Sequence, residues 1–199
     1  MVVRSLVRRC SVVLAGVAAS LLAASCGGSV APPGATVPDS VLGAPPPSPY
    51  AVPRVITKAY VQRVLNAIEA VQAQATADIV AHRAYTPAAA ALIHSVTTQY
   101  QYNFDHRAWQ MLLSSGLPDI PAHPGAIVDT VQKVFPSTST CIFASLNRNF
   151  SAVNAAPPAG QLDYVHLEVA ATGAPNPTPW LVNRLGYNSQ GLVPGDPCS

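Results

Sequence analysis

Tyr164, His166 and Glu168 alternate with Val165, Leu167 and Val169 along the segment 162–171. A strand turns successive side chains to opposite faces, so this spacing puts an imidazole and a carboxylate on one face. Lining a pocket, such a pair serves as general base and general acid or holds a polar ligand; facing water, it is a solvated polar pair. His166 and Glu168 are therefore the candidate catalytic residues. Arg148 and Arg184 lie on neighbouring candidate strands, where a cross-strand pair would balance Glu168.

The other histidines, His82, His94, His106 and His123, are scattered. Asp105 and His106 are adjacent, but neighbours on a helix point about 100° apart and do not face each other. Asp78 and His82 are four apart, the spacing of a surface ion pair. The chain contains no HExxH, GxSxG, P-loop or GxGxxG, so no metal and no cofactor is implied. Tyr100, Tyr102, Phe104 and Trp109 crowd one segment. Tyr100 and Phe104 share a side at helical spacing, which reads as a core stripe, with a ligand groove as the alternative. Asn149-Phe150-Ser151 matches a glycosylation sequon, a signal with little meaning in most bacteria.

The elements that position these residues fall in two halves. Val61, Val64, Leu65, Ile68, Ala75 and Ile79 recur at three- and four-residue steps, predicting a helix over 56–83. A second helix starts at Thr86-Pro87, where Thr caps the first free amides and Pro suits the first helical position. Its apolar side is Leu92, Ile93, Val96, Tyr100, Phe104 and Met111, and Gly116 supplies a stop. Ile127, Val128, Val131 and Val134 suggest a short third helix over 125–135. After Pro136 the pattern turns β-rich, with candidate strands over 140–153, 162–171 and 180–188. Pro157-Pro158-Ala159-Gly160 and the stretch 173–179 are turn material. Strands with no helices between them favour an antiparallel meander. The expected class is α+β, with N-terminal helices packed on a three- to four-stranded antiparallel curved sheet. Residues 54–199 form the single α+β domain.

What precedes that domain has a different character. Arg4, Arg8 and Arg9 open the chain, an uncharged apolar run follows from Cys10 to Leu22, and Ala23, Ala24 and Ser25 are small. This is the layout of an export signal over 1–25. The apolar run is about 13 residues, short of the ~20 that span a bilayer as a helix. The stretch Leu22-Ala23-Ala24-Ser25-Cys26-Gly27-Gly28-Ser29 resembles the lipobox of bacterial lipoproteins, with Ala23 standing where that family favours Leu. The resemblance implies a diacylglyceryl group on Cys26, cleavage just before it, and a location on the extracytoplasmic face of the cell membrane. Arg8-Arg9 followed by Ser11-Val12-Val13 also resembles a twin-arginine export motif, so the export route stays open.

Three consequences follow if Cys26 is the lipidation site. The chain has four cysteines. Cys10 leaves with the signal and Cys26 carries lipid, so Cys141 and Cys198 remain as a disulfide pair in an oxidising compartment. The formal charge of +2 becomes about −1 once Arg4, Arg8 and Arg9 are gone, which leaves no basic face for a nucleic acid. Residues 26–53 hold eight prolines and become a tether of extended, polyproline-like chain, reaching roughly 80 Å at about 3.1 Å per residue.

Helices followed by an antiparallel sheet resemble, in element order across 54–199, the nuclear-transport-factor-2-like cone found in many small actinobacterial lipoproteins. The resemblance implies a sheet curled around helices to leave a pocket, in a family of enzymes, ligand binders and inert structural domains. The expected function is a membrane-anchored, non-enzymatic binding or structural envelope protein, its partner another envelope protein or a small apolar ligand. The alternative is a small-molecule enzyme using His166 and Glu168 in the pocket.

Overall fold

The structure, a computed structural model, describes residues 48–117, 119–155, 161–170, 175–187 and 197–198. The expected signal segment, the expected lipidation site Cys26 and most of the expected tether lie outside the described residues. Three helices precede four strands: α1 (Lys58–His82), α2 (Pro87–Val96), α3 (Gln99–Ser114), β1 (Val128–Val134), β2 (Cys141–Asn149), β3 (Gln161–Val169) and β4 (Trp180–Tyr187). The strands form an antiparallel meander in the order β1-β2-β3-β4. This is the α+β arrangement that the sequence predicts, reached with two local differences.

The first difference lies in the helices. Thr57 and Thr86 cap α1 and α2 through their side chains, accepting from the amides of Tyr60 and Ala89. The expected single helix from Thr86 to Gly116 is instead broken at Thr97-Thr98. Thr97 is extended, at φ −127° and ψ 150°, and bridges to Val182 of β4 in parallel fashion. The Thr98 amide donates to the Val182 carbonyl at 2.9 Å, and its side chain caps α3. Two β-branched residues with capping hydroxyls thus leave the helix to cover the edge of β4. The break restarts the helical phase, so the expected core stripe is wrong: Tyr100 is 55% and Phe104 51% exposed. Tyr102, Trp109 and Leu113 turn inward instead, onto a small cluster of Ala75, Ile79, Ala89 and Ile93. The stop at Gly116 is as expected, with φ +83° in the left-handed region glycine tolerates.

The second difference is β1, which occupies the place of the expected third helix. The spacing of Val128, Val131 and Val134 fits a helical turn, but these residues are β-branched and line a bulged edge strand. The register with β2 shifts between Val131 and Lys133, and a bulge bends and twists an edge in this way. Gln62 of α1 fixes it: its side-chain amide donates to the Asp129 carbonyl at 2.6 Å, and its oxygen accepts from the Val131 amide at 2.9 Å. That occupies edge groups that would otherwise be open to another chain.

One face of the sheet packs on the helices. Val131, Ile142, Ala144, Leu146, Val165, Leu167, Trp180 and Val182 meet Val61, Val64, Leu65, Ile68 and Val71 of α1. Trp180 is fully buried and donates from Nε1 to the Tyr60 hydroxyl at 2.8 Å, which donates in turn to the Tyr50 carbonyl at 3.0 Å. Tyr50 and Val52, at the end of the tether segment, therefore already pack against the core. The other face carries a stacked ladder of Phe135, Phe143 and Tyr164.

Candidate functional site

At one end of the helix-facing side the alternation that buries Val131, Leu146 and Val165 continues into charge. Asp129 is in phase with Val131, Arg148 with Leu146, and Asp163 with Val165, while Glu69 follows Ile68 on α1. Arg148 donates from Nε to Asp129 Oδ1 and from Nη2 to Glu69 Oε1, both at 2.7 Å, and its Nη1 is 4.0 Å from Asp163 Oδ2. Side-chain exposure is 7% for Arg148, 6% for Glu69, 1% for Asp129 and 3% for Asp163. A charge this far from water persists only with partners, because desolvation rivals the Coulomb attraction.

One guanidinium does not neutralise this many carboxyls. Burial, with the Asp129 charge, pushes Glu69 up to about 8 against the pull of Arg148. The neighbouring Asp129 thus favours the protonated form of Glu69. Asp129 Oδ2 and Asp163 Oδ1 are buried acceptors with no donor. Burial also raises Asp163, with Arg148 opposing and Asp129 adding. Arg148 is pulled down by burial but held above its ordinary value by Glu69, Asp129 and Asp163.

Arg148 also reaches a cavity. A half-open space of about 190 Å³ lies between α1, α3 and the sheet, with Gln72, Thr76, Gln101, Asp105 and Arg148 as its polar lining and Ile93, Trp109 and Leu185 among its apolar residues. A second cavity of about 260 Å³ shares Thr76, Trp109, Leu112 and Ile127 with the first and extends to Phe150 and Asp119. Asp105 Oδ1 accepts from Gln101 Nε2 at 2.8 Å. Burial pushes Asp105 up to about 6, with the Gln101 bond and Arg148 opposing.

The candidate pair His166 and Glu168 sits elsewhere, on the sheet face that carries Phe143 and Tyr164. His166 Nε2 is 3.9 Å from Glu168 Oε1 and 3.3 Å from Cys141 Sγ. Asn183 Nδ2 donates to Glu168 and lies 3.2 Å from His166 Nδ1. Burial lowers the His166 pKa, with Glu168 opposing and Arg184 adding. Neither residue lines a described cavity. Arg148, expected to join them, faces the helices instead, because its strand parity is that of Leu146. Arg184 is opposite His166 in register and carries its guanidinium over the Tyr100 ring, 4.9 Å from its centre.

Cys141 and Cys198 stand at disulfide distance, with sulfurs 2.03 Å apart. With His166 they are grouped closely enough for a metal ion, but sulfurs bonded to each other offer no thiolate to a cation. Asp78 and His82 form the expected surface pair at 3.2 Å. Asp105 and His106 point apart as predicted: Asp105 turns to the cavity, and His106 stacks between Tyr85 and Tyr102.

Reasoning from sequence missed the cluster of Glu69, Asp105, Asp129 and Asp163 around Arg148. For Glu69 and Asp163 the signal was present, since each is a charged residue in the buried phase of its expected element; for Asp129 and Asp105 it was not, because β1 reads as a helix and the phase of α3 is reset at Thr97-Thr98. In comparison with known proteins, no family model, curated protein or solved structure matches the chain. No helix among the described residues is long and apolar enough to cross a membrane.

Proposed function

We propose that the chain is an extracytoplasmic lipoprotein, cut before Cys26 and anchored by lipid on that cysteine, whose α+β domain is a non-enzymatic module binding a small apolar ligand. The observation that carries the binding role is the cavity beside Arg148: apolar walls with a few convergent polar groups are the usual make-up of a ligand site. Its position between helices and sheet is where the resemblance to a nuclear-transport-factor-2-like cone leads one to look. The lipobox-like stretch and the proline-rich tether support the address, and a cysteine pair at disulfide distance suits an oxidising compartment. The rival reading is an enzyme using His166 and Glu168 in a pocket; neither residue lines the two cavities described beside Arg148 and Trp109, so the binding reading is put first.

Two measurements test the proposal. Cys26→Ala releases the protein from membranes; full retention would reject the anchor. Toluene titrated into that released chain gives saturable shifts in amide resonances around Trp109. Ala108 lines the cavity, and Ala108→Phe fills it and abolishes those shifts. Unaltered toluene binding in Ala108→Phe would move the ligand site elsewhere.

A further inference from the structure

The cavity's polar wall has a sign. Arg148 is its one basic lining residue, and two of the three guanidinium nitrogens are already engaged, Nε by Asp129 and Nη2 by Glu69. The remaining Nη1 faces Asp163 at 4.0 Å. A carboxylate ligand would have to displace one of these buried partners, leaving an uncompensated charge behind. Asp105 is placed differently. Its Oδ1 accepts from Gln101, and its Oδ2 has no hydrogen-bond donor among the described residues. Asp119, on the adjoining cavity, adds a further acid. Arg148 is already held by Glu69, Asp129 and Asp163, which leaves Asp105, the one acid lining this cavity, without an ion-pair partner of its own among the described residues.

We infer that this cavity selects a small apolar amine, its ammonium donating to Asp105 and its hydrocarbon part lying against Trp109 and Ile93, and that it rejects the matching carboxylic acid. This rests on the ligand-binding reading above and adds the sign of the ligand's polar end. An ammonium brings three donors and no acceptor, matching a wall that is rich in acceptors. Trp109 offers a ring to which a nearby cation is also attracted. Size favours one ring: a cavity of about 150 Å³ holds benzene, and this one measures about 190 Å³.

The test uses four probes of one size on the full chain carrying Cys26→Ala: toluene, benzyl alcohol, benzylamine and benzoate, each titrated by calorimetry at pH 7.5. Benzylamine should bind at least tenfold more tightly than toluene, and benzoate more weakly than toluene. Asp105→Asn should cost benzylamine at least tenfold while moving toluene by less than twofold. Equal binding of benzylamine and toluene, or tightest binding by benzoate, overturns the inference and leaves the ligand-binding reading intact. Binding of none of the four overturns that reading and the inference with it. If Asp105→Asn fails to fold, the ratio of benzylamine to benzoate on the unsubstituted cavity decides alone.

Discussion

Glu69 occupies a place on α1 where the neighbouring inward residues, Leu65 and Ile68, are fully apolar. Its neutral form is the one that folding favours, which makes stability depend on pH with a definite sign. The folded chain holds the Glu69 proton up to about pH 8, whereas an unfolded glutamate releases it near pH 4.3. The contribution is thus fully present below about pH 4.3 and fades as pH rises to about 8. Asp105 acts in the same sense and fades by about 6. His166 acts in the opposite sense: burial lowers its pKa, so its contribution is present above about 6.5 and lost as pH falls. Thermal melts should therefore show a lower midpoint at pH 8.5 than at pH 6, by several degrees, since about 1 kcal/mol moves the midpoint of a domain this size by roughly 2–4 °C. Glu69→Gln keeps the neutral shape and should flatten that slope; a variant with the full slope would show that the titrating group lies elsewhere.

Among the elements, the junction of α2 and α3 matters most for the cavity, because it sets which face of α3 turns inward. Thr98 has three tasks there: its amide pairs with Val182, and its hydroxyl caps α3 and donates to Asn183 Oδ1 at 3.1 Å. Thr98→Ala keeps the backbone bond and removes the cap, a loss of about 1 kcal/mol. Denaturant unfolding should show that loss, together with weaker ligand binding as α3 frays beside Gln101. Unchanged stability would mean that the Thr97–Val182 bridge alone holds the junction. The same junction explains why Tyr100, Phe104 and Met111 lie exposed although their spacing is that of a core stripe. A continuous helix would have carried the phase of Ile93 and Val96 onward, and the extended pair Thr97-Thr98 resets it.

For the whole molecule, the link between Cys141 and Cys198 joins the start of β2 to the far end of the chain, across a sequence separation of 57. Closing a loop of that length constrains the unfolded chain by about 4 kcal/mol in the chain-entropy model. Cys198→Ser, compared with the oxidised chain in urea, should lose stability of that order while retaining the far-ultraviolet signature of helices and sheet. A loss below about 1 kcal/mol would mean that the pair is not bonded in solution. The core on the opposite face, around Trp180 and α1, involves neither cysteine, which is why the architecture should survive the substitution.

Much of this molecule follows from local rules. Capping threonines, the apolar stripe of α1, alternation in β3 and the exit at Gly116 depend on neighbours within a few residues, and these local cues suffice for an α+β class with helices before strands. The sequence also carries the lipobox-like stretch and the proline-rich stretch after it, since both are patterns of adjacent residues. Other features depended on what lies across space. Ile127 to Val134 satisfies a helical period as well as a strand, and only pairing with β2 and the grip of Gln62 decides for a strand. His166 and Glu168 share a face as their spacing requires, but spacing does not say which face the helices cover. Tertiary packing places that pair outside and turns Arg148, one strand away, inward among four acids. The sign of the cavity wall is therefore a property of the assembled sheet and helices, because Glu69, 79 residues from Arg148 in sequence, and the nearer Asp129 and Asp163 meet it only when the inward phases of α1, β1, β2 and β3 converge.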